Sequence, residues 1–452
     1  MDITQSRIKI TSILQSVSIL LFIVVAVRWF VYVDRYSINI MFWDQWDFFD
    51  AFFGVNSIWD TFKWQHGPHR QGLGLILTKT VGQISGWDTR IECLLIGGLI
   101  FLTMCLAIIL KKRLAGKITW SDVVIALIFL TPVQSEIFAM TPNMSHSAIP
   151  LMLIVLYAMA WTIKRLPLRY ISVLSLNFLL IFTGFGLSVF AVTPLLFAID
   201  MIKALIDKDE IGFVSAFLAL AVSVLSCVSY LAGYKFDPGV ADFKFPAADF
   251  LARYPRFIFS LLANFLQFKA GYAASTMWAG FTVFASMAFI CLLNIKKLLA
   301  GNTGDRQHWL SRSIVILTLY TLTFCVLTAI GRVKQGPFIS RYMPYLIPGF
   351  FAVYLQITQV TGKKAFERYK NYVLALTVVI FFVGSFPLNR WDSYAFETYL
   401  NGKKIWVDYY LRHEDIDIAE MASRFKIYPD PAKTNLKAKL DHLKKNRFNL
   451  YL

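Results

Sequence analysis

Apolar runs separated by short polar links make up most of the chain. A helix needs about 20 mostly apolar residues to cross a bilayer core. Runs of that kind lie near residues 10–33, 91–110, 121–140, 148–163, 168–183, 187–205, 211–233, 274–295, 311–331, 342–360 and 371–388. The pattern predicts an all-α, polytopic transmembrane protein of about eleven helices. The pairs Thr131-Pro132 and Thr193-Pro194 predict kinks, because proline removes a backbone donor and crowds the preceding turn. The first run, Ile10 to Val33, is too long for a signal-peptide core and has no small-residue cleavage site, so it reads as a first membrane helix. Residues 389–452 break the pattern, mixing acids with bases. Helical stretches are predicted there near 394–411, 414–425 and 434–446, as a small cap. The expected organisation is a transmembrane domain over 1–388, with a first outer segment at 34–90, followed by a C-terminal tail at 389–452.

Composition agrees. Hydrophobic residues are 57% of the chain and charged residues 16%, against about a quarter charged in globular proteins. A net charge of +17 raises the question of nucleic acid, and the placement of the charges answers it. Basic residues concentrate in alternate links: Lys111, Lys112, Arg113 and Lys117; Lys164, Arg165 and Arg169; Lys203 and Lys208; Lys296, Lys297, Arg306 and Arg312; Lys363, Lys364, Arg368 and Lys370. That is the positive-inside pattern of cytoplasmic loops. It places the amino terminus inside and the tail outside, and no nucleic-acid partner is expected. The five cysteines lie in apolar runs without CxxC spacing and read as small buried hydrophobes. The sequence shows neither a glycine-rich phosphate loop nor an internal repeat.

The outer segments carry the polar motifs. The first reads Met41-Phe-Trp-Asp44-Gln-Trp46-Asp47-Phe-Phe-Asp50. On a helix Asp44 and Asp47 share a face, and a carboxylate held among aromatic rings at the membrane suits a general base. The bland alternative is an interfacial tryptophan belt with solvated acids. Trp64-Gln65-His66-Gly67-Pro68-His69-Arg70 follows. His66, His69 and Arg70 in one turn suit a phosphate; imidazole with carboxylate also suits a divalent metal. The third motif runs from Gly331-Arg332 through Lys334 to Ser340-Arg341-Tyr342. Its cations oppose the positive-inside rule, and they suit an anion held at the surface, such as a lipid phosphate; anionic headgroups are the plainer explanation. Glu136, an acid within an apolar run, is a candidate by its cost in lipid, and pairing with an arginine is the alternative. Asn143 and His146 lie beside it. The turn Thr183-Gly184-Phe185-Gly186 permits close backbone approach. Arg253, Arg256 and Lys269 interleave with aromatic residues over 234–273, as in an amphipathic interfacial helix.

Together these motifs and their order resemble a family of bacterial membrane glycosyltransferases of GT-C type, which includes the phage-type serotype-converting O-antigen glucosyltransferases. The resemblance covers the whole layout, but only three short motifs are distinctive, with the ending Leu443-Lys-Lys-Asn-Arg-Phe-Asn-Leu-Tyr-Leu as a further likeness. It implies a GT-C-like fold in the bacterial inner (cytoplasmic) membrane with a periplasmic tail. It also implies transfer of a sugar, glucose in that group, from undecaprenyl phosphate to lipopolysaccharide O-antigen or a related surface glycan. An acid of the first outer loop serves there as base or acceptor-orienting group, which maps to Asp44 and Asp47. The basic position near the donor phosphate maps to Arg341. Many relatives carry His-Asn-Glu-His-Arg where this chain has His66-Gly67-Pro68-His69-Arg70, so Pro68 replaces an acid.

Chemistry supports that reading independently. A lipid-phosphate donor is presented at the membrane surface, its leaving group needs cations and not an acid, and the acceptor hydroxyl needs a base. A single displacement inverts the anomeric centre. No cofactor is expected, and a divalent metal is not required, since arginine and lysine neutralise phosphate. The main rival is a flippase or transporter of lipid-linked sugars, which would show repeats and midplane charges; a non-catalytic scaffold and a polysaccharide polymerase or ligase are further alternatives.

Overall fold

The computed structural model describes residues 3–54, 57–134, 136–139, 143–235, 252–267, 273–301, 306–334, 336–359, 364–384, 390–432 and 434–452. Most of the outer loop 234–256, the expected domain boundary at 388–389, Lys269 and Lys363 lie outside the described residues.

Apart from one hairpin of two-residue strands, the described elements are helices. Six are long and apolar enough to cross a membrane: those at Ile13–Tyr36, Thr89–Ala115, Gly186–Ile206, Glu210–Leu231, Ala274–Ala300 and Arg306–Arg332. The apolar elements over Trp120–Gln134, Ala148–Ala160, Leu166–Ile181 and Ile347–Thr358 are shorter. All eleven predicted runs contain helix, but length and composition qualify six as spans.

Proline accounts for much of the difference. The expected helix 121–140 is a short helix, Val123–Phe129, followed by a 3₁₀ turn at Pro132–Gln134 and a further turn at Glu136–Ala139. Pro132 cannot donate to the preceding turn, and Gln134 Nε2 donates instead to the Phe129 carbonyl at 2.6 Å. The run 342–360 likewise divides into a 3₁₀ segment, Ser340–Tyr345, holding Pro344, and the helix Ile347–Thr358, whose first turn holds Pro348.

The bundle core is built from helix faces such as Val25, Trp29 and Val33 of the first helix and Ile96, Ile100, Met104 and Ala107 of the Thr89–Ala115 helix, while Val123–Phe129 is buried all round. Trp29 Nε1 donates to the Gly97 carbonyl at 3.0 Å and ties the first pair together. The opposite faces stay apolar where they are exposed, at Ile19, Leu20, Ile23, Leu218, Leu225 and Val228. Helices apolar both inside and out are those of a bilayer. The amphipathic helix expected in 234–273 forms as Arg253–Phe265. It packs on the Ala274–Ala300 and Arg306–Arg332 helices, and Phe265 stacks on Phe350 with centroids 4.2 Å apart. Its buried face therefore meets protein.

A second core lies at one end of the bundle. Ile40, Met41, Phe42, Trp46, Phe48, Phe52 and Trp87 pack with Trp406, Tyr410, Ile427, Leu436, Leu440 and Leu443. The predicted tail helices form as Arg390–His413, Ile416–Ser423 and Leu436–Asn446, and they complete the apolar face of segment 34–90. Asn449 seals the joint, with hydrogen bonds to Asn39, Met41 and Trp87.

Cations of the basic links, Lys111 and Arg312 among them, are buried at the other end. Lys111 pairs with Asp122 at 2.7 Å, which also accepts from the Tyr354 hydroxyl at 2.6 Å and the Thr119 N–H at 2.6 Å. Arg312 pairs with Asp200 and lies 4.4 Å from the Trp161 ring centroid.

Candidate functional site

The first helix ends at Tyr36, and the next turns are fixed from outside. Trp43 takes a left-handed backbone (φ 47°) and donates its N–H to the Ile427 carbonyl of the tail at 3.0 Å. Asp44–Asp47 then forms a single helical turn. Trp46 is driven into the cap core, fully buried, which leaves Asp44 and Asp47 together on the other side. Tyr428 of the tail donates its hydroxyl to Asp47 Oδ1 at 2.7 Å, and Lys439 donates to the Trp46 carbonyl at 2.7 Å.

The histidine motif is a hairpin. His66 pairs with His69, and Gln65 with Arg70, across Gly67 at φ 52°. His66 packs edge-on against Phe48 at 4.8 Å, and its ring reaches the acids. Ligating atoms of Asp44, Asp47 and His66 all lie within 4.8 Å of one another, close enough to hold one divalent cation. His69 turns to the bundle, 4.2 Å from the Phe185 ring and 5.0 Å from His146. Burial, reinforced by the charges of His146, Arg332, His66 and Arg341, holds His69 well below the ordinary range. Burial likewise pushes His146 down to about 3.

Arg70 is spent elsewhere. Its guanidinium donates to the carbonyls of Tyr230, Ala232 and Lys63. It closes the end of the Glu210–Leu231 helix, whose last carbonyls lack partners within the helix. The Arg70 guanidinium, expected at a phosphate, is engaged here with the end of that helix. Asn143 serves a similar local purpose: its Oδ1 accepts from the backbone of Ser145 and His146.

Cations reach the acids from the far end of the sequence. Arg332 ends its helix, and Arg341 and Tyr342 sit in the 3₁₀ segment that follows. Both arginines lie near enough to Asp44 to feel its charge. Burial opposes the Arg341 charge, but Glu136, Tyr342 and Asp44 outweigh it and raise its pKa. Glu136 accepts from Ser340 Oγ at 3.2 Å and the Arg341 N–H at 3.1 Å, with Arg341 Nη1 at 3.7 Å. The pairing alternative for Glu136 is the one observed, and it sets the pose of Arg341. Tyr342 is buried. Lys334 is exposed at the rim.

Several contributors were not legible as site residues. Gln71, buried behind the hairpin, hydrogen-bonds His146 Nε2 at 3.0 Å. An amide nitrogen can only donate, so that imidazole nitrogen is an acceptor and the ring is neutral. Gly184 lies so near His146 that a Cβ there would come within 2.3 Å of its ring, which is the close approach the glycine turn suggested. Tyr428 and Lys439 carried no local signal, because their partners are some 380 to 390 residues earlier.

Beside the charged cluster lies a largely apolar chamber, lined by Phe185, Leu187, Tyr230, Tyr234, Leu327 and Ile330, with Arg332 and His69 also in its wall. Its space is about 110 Å³. Three polar atoms of its lining residues, His69 Nε2, Ser188 Oγ and Thr328 Oγ1, are buried without a hydrogen-bond partner. Such atoms are costly unless a ligand or water satisfies them. The site thus has two acids, two cations within Coulomb range of Asp44, and an apolar recess alongside. Comparison with known proteins finds no matching family model, no matching curated protein and no matching solved structure.

Proposed function

We propose that the protein is a membrane-embedded transferase working at the capped end of its helix bundle. More particularly, it is a glycosyltransferase that takes a sugar, glucose by resemblance, from undecaprenyl phosphate and places it on O-antigen or a related surface glycan. This reading is supported by the cluster of Asp44, Asp47 and His66, whose ligating atoms lie within 4.8 Å of one another, and by Arg341, held at its N–H by Glu136 at 3.1 Å, which with Arg332 lies within Coulomb range of Asp44 from nearly 300 positions away. Acids and cations then face the two ends of one displacement. Asp44, with Asp47 beside it, takes the proton of the acceptor hydroxyl as its oxygen attacks the anomeric carbon. The bond from that carbon to the phosphate oxygen breaks, and its electron pair leaves with the phosphate. Arg332 and Arg341 stabilise the charge that develops there, and the apolar chamber beside Arg332 suits the first part of a prenyl chain. Inversion at the anomeric carbon follows from a single displacement. The topology that goes with this function has eleven spans in the bacterial inner membrane, a cytoplasmic amino terminus and a periplasmic tail.

A second reading rests on the Asp44, Asp47 and His66 cluster. Asp44, Asp47 and His66 would hold a divalent cation, which would supply positive charge against that of the leaving phosphate, and the same transfer would then respond to chelation and to added Mn²⁺. The flippase alternative moves the donor without cleaving it. Replacing Arg341 with Gln separates these readings. A transferase with Arg341 on the phosphate should show transfer reduced by at least about a hundredfold, the usual scale for losing one such stabilising group. Unchanged transfer would remove Arg341 from the scheme, and translocation without sugar release would favour the flippase.

A further inference from the structure

At the end of the bundle away from Asp44, buried cations are matched to acids. Lys111 pairs with Asp122, Arg312 with Asp200, and Lys203 with Asp207. Among the other cations described at this end, four exposed ones gather at a single place. Lys112 and Arg113 leave the end of the Thr89–Ala115 helix, Lys164 follows the Ala148–Ala160 helix, and Arg306 begins the Arg306–Arg332 helix. All four line one crevice of about 680 Å³, whose remaining wall is Ile109, Gly116 and Trp309. Among the described residues no acid lines it; Asp305, next to Arg306, lies outside them.

The crevice is assembled by local features. Gly116 caps its helix in the left-handed conformation (φ 80°) and leaves room for Arg306: a Cβ there would lie 2.7 Å from Arg306 Nη1. Arg113 Nη1 donates to Thr162 Oγ1 at 2.9 Å, which ties the wall beneath Lys164. The positive-inside bias asks for basic links; it does not ask three links to converge on one crevice. Bare cations held together repel one another, and an anion relieves that cost. Ile109, 48% exposed, and Trp309 place the crevice where an apolar helix surface meets its polar end, the level of lipid headgroups.

We propose that this crevice binds the phosphodiester headgroup of an anionic phospholipid, with its acyl chains running down the exposed face beside Ile109. The inference is independent of the transferase reading. The test is native mass spectrometry of the full chain in detergent, titrated with phosphatidylglycerol and, separately, phosphatidylcholine. Wild type should retain phosphatidylglycerol over phosphatidylcholine. The exposed pair Lys112→Ala/Lys164→Ala should bind phosphatidylglycerol about tenfold more weakly. A control pair on another helix end, Lys296→Ala/Lys297→Ala, should bind as wild type. Charge reversal by Lys164→Glu alone should also weaken binding. Equal loss in both pairs, or no loss with Lys164→Glu, would overturn the site. Displacement of the lipid by millimolar inorganic phosphate would assign a soluble anion instead and overturn the lipid.

Discussion

Asp47 accepts the Tyr428 hydroxyl at 2.7 Å, and that one contact fixes which way a carboxylate of the single helical turn points. Its loss in Tyr428→Phe removes a hydrogen bond to a charged group, worth about 1.5 kcal/mol. If Asp47 orients the acceptor, turnover should fall about tenfold with the donor KM unchanged. A purely structural contact would lower Tm and leave turnover alone. His146 offers a second residue-scale test. Burial, with the charges of His66, Arg341 and Arg332, takes it from 6.5 to about 3, so the unfolded chain binds more protons between those values. Stability from the neutral ring is therefore complete above about pH 6.5 and declines as pH falls toward 3. Thermal unfolding in detergent should show Tm dropping from pH 7 to pH 4.5, with a shallower drop in His146→Asn. Equal slopes would mean that the ring does not titrate on unfolding.

Secondary-structure elements were legible where periodicity alone decides. Each predicted run contains helix, as do the three stretches of the tail. Proline positions foretold the break at Pro132, but its repair by Gln134 could not be read, because a side-chain donor to a carbonyl five residues back leaves no pattern. The hairpin at 65–70 was legible as a turn, while the direction of each side chain was not. Alternation sends His66 and Arg70 to different partners, and Arg70 ends on the carbonyls of Tyr230 and Ala232. Arg70→Ala should accordingly destabilise by about 2–3 kcal/mol, the cost of several carbonyls left without a donor. Arg70→Lys should recover little, lacking the fork that spans two carbonyls. Wild-type Tm in Arg70→Ala would contradict the capping role.

Across the whole molecule, the candidate site is a meeting of distant segments. Sequence motifs named Asp44, Asp47, His66, Arg332 and Arg341, since charged residues at the ends of apolar runs stand out. They could not show that the tail shares a core with segment 34–90, because apolar faces that meet across the length of the chain leave no local mark. Nor could they show the chamber beside Arg332, which needs four elements to enclose it. In the proposed reaction Asp44 takes the proton of the acceptor hydroxyl. The most direct test supplies labelled undecaprenyl-phosphate glucose and acceptor O-antigen to membranes holding equal amounts of wild type or Asp44→Asn, and measures label in the polysaccharide. Wild type should transfer the label, and the variant should lose at least about a hundredfold. Equal transfer by both would contradict this role.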